Sequence, residues 1–163
     1  MNSFEKQMEA VMRLCVAENE RERSSIREEI RGYLAHGQWE KLTPEQEIRR
    51  ILLELGAPDH LAGHPYVIRA IQLVVEDRLY INSITFGLYP QLAAEFDTTP
   101  ARVERAIRHL IEVTWSRGDL EILDKYFGNT ISASRGKPTN SEFIALIADK
   151  LQLQLKSDQV ANF

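Results

Sequence analysis

Apolar residues recur at spacings of three and four along most of the chain, and strand-like alternation is scarce. The sequence therefore predicts an all-α protein, a helical bundle with a short helical appendage at its N-terminus. Phe4, Met8, Val11, Met12 and Cys15 mark a first helical stripe. Glu18 to Arg23 is a charge run without an apolar position, and Ile26, Ile30, Tyr33 and Leu34 form a second stripe that Gly32 and Gly37 weaken. Thr43-Pro44-Glu45-Gln46 is a sharper start: a capping hydroxyl, proline at the first helical position and an acid in the first turn. Ile48, Ile51, Leu52 and Leu55 follow on one face, and Gly56-Ala57-Pro58 ends that helix. The boundary falls near Gly37 to Leu42, giving an appendage over 1–42 and a main domain over 43–163.

Val67, Ile68, Ile71, Leu73, Val74 and Val75 cover much of the next helix's circumference, so it is expected to be central. Ser83 starts a helix carrying Ile84, Leu88, Leu92, Ala93 and Phe96, which Pro90 must kink or break. Asp97-Thr98-Thr99-Pro100 is a turn with a ready cap, and Ala101 to Arg117 is a long helix ended by Gly118. Gly128 to Pro138 is a polar loop whose Asn129–Ser134 stretch is the best strand candidate. Thr139-Asn140-Ser141-Glu142 opens the last helix, with Phe143, Ile144, Leu146, Ile147, Leu151 and Leu155 inward.

Two consecutive helices joined by a short turn, over residues 83–117, fit a helix-turn-helix. In that motif the first helix braces the second, which lies in the DNA major groove. Val103, Ile107 and Leu110 form the inward stripe of the second helix, while Arg102, Arg105, Arg108 and His109 project outward with Glu104. Arginine can donate twice to guanine O6 and N7, and glutamate can accept from cytosine N4. N–H groups at the helix start can hold a phosphate. Residues 98–117 hold four arginines and two acids, a local positive surplus in a chain of net charge −4. That net charge disfavours a nonspecific nucleic-acid coat but not a specific reader, whose field need be positive only locally.

Thr99 to Gly118, with Val103 to His109, Glu112-Val113 and Trp115 to Gly118, resembles the effector domain of the master sporulation response regulator of endospore-forming Bacillota. The resemblance continues in Ile51–Gly56, Ser83-Ile84, Leu88–Pro90, Lys137–Ala145 and Ala148–Leu151. It implies a six-helix bundle holding a helix-turn-helix that binds TGTCGAA-like boxes of double-stranded DNA, often as a tandem dimer. It also implies Glu104, Arg105 and His109 as base readers, and a backbone-contacting arginine at Arg108. Asn140 and Ser141 fall where a secondary phosphate contact is expected. With Thr99 and Arg102 at the helix start, the expected backbone contacts are Thr99, Arg102, Arg108, Asn140 and Ser141. Pro100 and Ala101 differ from the small and hydroxyl residues usual there. The family joins this domain to a phosphorylatable α/β receiver, for which residues 1–42 are too few. The expectation is a stand-alone relative without its own phosphoacceptor.

The remaining residues change the picture little. One cysteine allows no intrachain disulfide, and no apolar run approaches the roughly 20 residues of a membrane span, so a cytoplasmic, nucleoid-associated protein is expected. Cys15 reads as a small packed hydrophobe, Trp115 as a core anchor, and His60 and His64 as loop and cap residues rather than metal ligands. No metal or cofactor is expected, and no catalytic constellation occurs, so the chain does not read as an enzyme. Trp39 is available to pack the appendage onto the main domain. The appendage stripe either folds back on its own chain or pairs with a second copy. The rival function is a protein-interaction module that modulates another regulator or RNA polymerase.

Overall fold

A computed structural model of the protein describes residues 3–35, 42–128 and 136–160. Every regular element among them is a helix. Gly37, Trp39 and the strand candidate Asn129–Ser134 lie outside the described residues, as do the side chains of Phe4, Tyr33 and Leu34. The chain divides into two compact units, Met1–Thr43 and Pro44–Phe163.

The first unit is a hairpin of α1 (Ser3–Val16) and α2 (Glu20–Ala35). Asn19 caps α2, its Oδ1 accepting from the Glu22 N–H at 2.9 Å. Glu20 to Arg23 of the charge run are therefore the first turn of α2, and the run lacks apolar positions because it faces water. Ala10, Ala17 and Ile26 are buried, and Arg13 pairs with Glu29 at 3.1 Å. Cys15 is exposed, which corrects its reading as a packed hydrophobe. By helical arithmetic it lies opposite Ala10, beside Met12 and Val16, which are exposed too.

In the second unit, α3 (Pro44–Glu54), α7 (Pro100–Arg117) and α9 (Asn140–Val160) pack around α4 (Gly63–Glu76). Val67, Ala70, Ile71 and Val74 of α4 are fully buried, as the broad apolar girth of that helix predicts. Burying the isoleucine or one of the valines contributes about 1.5–3 kcal/mol, and truncating Ile71 to alanine costs about 2–5 kcal/mol. Trp115 of α7 packs edge-on to Phe127 at 5.0 Å, and Phe127 stacks on Phe143 of α9 at 5.4 Å. Trp115 is thus a core anchor. Phe127 belongs to α8 (Leu120–Phe127), a short helix capped by Asp119, whose side chain accepts from Glu121 N–H at 2.8 Å. Tyr126 of α8 donates to Glu54 of α3 at 2.7 Å; burial first, then Glu54, pushes its pKa up to about 12.

The helix expected from Ser83 is divided. A single turn, α5 (Leu79–Asn82), ends at Ser83, a π-helical turn follows over Ile84–Leu88, and α6 runs Tyr89–Glu95. Pro90 is the cause: it has no N–H to continue the i→i−4 ladder and sits in the first turn of α6. The ladder widens just before it, with Leu88 N–H on the Ser83 carbonyl at 3.1 Å and Tyr89 N–H on that of Ile84.

Candidate nucleic-acid interface

The turn between α6 and α7 is closed from within. Thr98 N–H reaches the Ala93 carbonyl at 2.9 Å and Phe96 N–H that of Leu92 at 3.0 Å. Asp97 adopts φ +50° to allow this, the left-handed residue that ends many helices. Thr99 then starts α7, its hydroxyl oxygen accepting from Arg102 N–H at 3.4 Å. The hydroxyl keeps its proton for a further partner. Pro100 follows at the first helical position, where no donor is missed.

Three contacts from α4 hold this motif. Gly63 lies against α7 at Ala106. The Tyr66 ring meets Phe96 of the turn edge-on at 4.9 Å. Arg69 grips Glu95, the last residue of α6, through two hydrogen bonds of 2.7 and 3.2 Å. That grip lowers the pKa of Glu95, with a third hydrogen bond, from Gln91, adding to it.

Inside this frame, α7 is sharply two-faced. Val103, Ile107, Leu110, Ile111 and Thr114 are buried, and the Thr114 hydroxyl donates to the Leu110 carbonyl at 2.7 Å. Arg102, Arg105, Arg108 and His109 are exposed, and Glu104 is half-buried. At about 100° per residue, Arg105 points straight outward, with Arg102 and His109 on one flank and Glu104 and Arg108 on the other. The first flank borders Ala62, just ahead of α4. The second borders a cleft of about 610 Å³ between α7, the π turn and the start of α9, where Thr85, Tyr89, Lys137 and Asn140 join it.

Charges on the two flanks are used differently. Arg108 pairs with Glu104 one turn earlier at 2.9 Å. Lys137 pairs with Glu112 at 2.9 Å and holds that carboxyl below its ordinary pKa. Among the described residues no ion pair engages Arg102 or Arg105. Such an array of a stiff helix, an open N-terminal turn and uncommitted guanidinium groups suits a polyanion with hydrogen-bonding edges.

The family model for the C-terminal domain of sporulation initiation factor Spo0A matches residues 48–151, well over half of the chain. The chain belongs to that family. The Spo0A C-terminal family is a DNA-binding effector domain of sporulation initiation, a regulatory domain rather than an enzyme. The resemblance read from Thr99–Gly118 and Lys137–Ala145 thus points to the family that the model identifies. No strand occurs among the described residues. No described helix is long and apolar enough to cross a membrane.

Within this Spo0A-type domain, the residues singled out in the sequence fall into two groups. Thr99, Arg102, Glu104, Arg105, Arg108 and His109 share the first three turns of α7 and its cap. Asn140 and Ser141 lie in the first turn of α9, bordering the same cleft as Glu104 and Arg108. That turn closes as a capping box: Glu142 N–H on the Thr139 hydroxyl at 3.2 Å, and Thr139 N–H on the Glu142 carboxylate at 2.8 Å. The Asn140 side chain, expected on a phosphate, has protein partners instead: its amide nitrogen donates to Tyr89 Oη at 2.9 Å and to the Glu104 carbonyl at 3.1 Å. Tyr89 and Lys137 were not singled out as site residues. Tyr89 reads as core, and Lys137 precedes the cap of the last helix with nothing in its spacing to tie it to α7.

Proposed function

We propose that the chain is a sequence-specific transcription regulator of sporulation or related stationary-phase genes, with α7 lying in the major groove of TGTCGAA-like boxes. Glu104, Arg105 and His109 read base edges. Arg102, Arg108 and Thr99 meet the phosphate backbone, as do Ser141 and the main chain at Asn140 in the first turn of α9. The observation that carries this is the outward face of α7, where Arg102 and Arg105 have no ion pair among the described residues while the opposite face is fully buried. Glu104, paired with Arg108 at 2.9 Å in the free protein, is the residue able to accept from a cytosine amine. A second copy on the adjoining box and RNA polymerase are the further partners of this reading.

A fluorescence anisotropy titration tests it. A TGTCGAA-type duplex is expected to bind at least tenfold more tightly than a scrambled duplex at moderate salt. Equal affinity for the two would overturn sequence reading and favour the interaction module.

A further inference from the structure

Asn140 sits at a three-way junction. It is the first residue of α9, and its side-chain nitrogen donates at 2.9 Å to Tyr89, the first residue of α6, and at 3.1 Å to the carbonyl of Glu104 in α7. A carbonyl oxygen only accepts, so the amide atom facing Glu104 must be the nitrogen. That nitrogen has two protons, and the two bonds use both. The side chain has no N–H left for a phosphate, and its oxygen would be repelled by one.

The junction is braced on each side. Tyr89 is 6% exposed. Burial raises its pKa, the Asn140 hydrogen bond opposing, so the phenol stays neutral and available. Asn140 is anchored from behind by the capping box, and by Phe143, which is fully buried and stacked on Phe127. The Glu104 carbonyl therefore accepts a hydrogen bond from outside its own helix, at a residue proposed to read bases. One amide thereby joins the bracing helix, the reading helix and the last helix.

We infer that Asn140 is a positioning residue for DNA reading: through Tyr89 and the Glu104 carbonyl it fixes the tilt of the first turns of α7, and so where Glu104 and Arg105 meet the bases. The inference rests on the proposed DNA-reading role. It separates Asn140 from Ser141, which stays with the phosphate contacts. It also predicts that Tyr89, a buried residue away from the exposed face, influences sequence choice.

The experiment measures the ratio of affinities for a TGTCGAA-type and a scrambled duplex with the full chain, Asn140→Ala, Tyr89→Phe and the double variant. Circular dichroism melts establish that each variant is folded. The ratio is expected to fall about tenfold in Asn140→Ala, the fold-change of losing hydrogen bonds worth about 1.4 kcal/mol, with the loss falling mainly on the TGTCGAA-type duplex. Tyr89→Phe, which removes only an oxygen, should lower the ratio in the same direction, and the double variant should fall no further than Asn140→Ala. Amide shifts in the Asn140→Ala spectrum should concentrate at residues 102–109. An equal loss on both duplexes would mark a phosphate contact and overturn the inference, as would an unchanged ratio. If the unaltered chain shows no preference, the DNA-reading proposal fails and this inference with it. If Asn140→Ala does not fold, Tyr89→Phe decides alone by the same ratio.

Discussion

A β-carbon added to Gly63 would stand 2.3 Å from the carbonyl oxygen of Ala106, so the start of α4 and the middle of the reading helix meet backbone to backbone. Neither partner is the flexible end of a side chain, so the space cannot be made by a rotamer change. Gly63→Ala is expected to destabilise the second unit by about 1–3 kcal/mol, the usual cost of overpacking a close contact. Urea unfolding measures this. A change within about 0.5 kcal/mol, the range of an ordinary surface substitution, would show the contact to be loose.

Arg105 and Arg108 are three residues apart on α7 and should fail differently. Arg105→Ala is expected to cost about 1–3 kcal/mol on the cognate duplex and little on a scrambled one. Arg108→Ala should weaken both, and reduce the slope of log affinity against log salt by about one. Titrations at three salt concentrations separate the two. Uniform loss from Arg105→Ala would remove it from the base readers.

His64 sets a pH dependence of stability. Burial, then the nearby charge of Arg49, lowers its pKa, with Asp59 opposing. The unfolded chain takes up this proton near pH 6.5, the folded protein only at lower pH. The unfolded state thus binds more protons in that window, and stability rises with pH. Folding free energy should therefore decline as pH falls from 7 to 5, with a slope of at most about 1.4 kcal/mol per pH unit from this group. Denaturation of the unaltered chain and of His64→Gln at both pH values checks this, because the difference between them isolates the histidine.

Asp97 turns the chain at φ +50° between the two helices. Asp97→Gly should raise the melting temperature slightly, by the equivalent of about 0.5–1 kcal/mol, since glycine adopts that conformation without strain. Asp97→Val should lower it and loosen DNA discrimination, because a β-branched residue resists that φ. A valine variant as stable as the parent would mean that the turn relaxes into another form.

How much of this was readable beforehand follows from the range of each interaction. Helices α4 and α7 were plain because their apolar periods run for several turns, and the Thr99 cap and Pro100 lie side by side in the sequence. Helix α8 was missed: it is too short to establish a period, and Asp119 was its only local signal. The π turn was foreseen only as a break at Pro90, since proline dictates that the ladder must change but not how. Cys15 was misread because, among the described residues up to Ala17, the small Ala10 and Ala17 are buried while Val11 and Met12 of the stripe are exposed. The partners of Asn140 are 36 and 51 residues away, and no spacing rule connects an amide to a carbonyl at that distance.

Gly63, Tyr66 and Arg69 are three residues apart on α4, so they form one ridge, and along it α7, the turn and α6 are fastened in order. The proposed reading head is therefore a mounted part rather than a free-standing one. Anyone transplanting it to another scaffold should cut before Gly63 rather than at Ser83. A graft of residues 83–117 alone would carry the letters of the proposed recognition code and leave behind the ruler that spaces them.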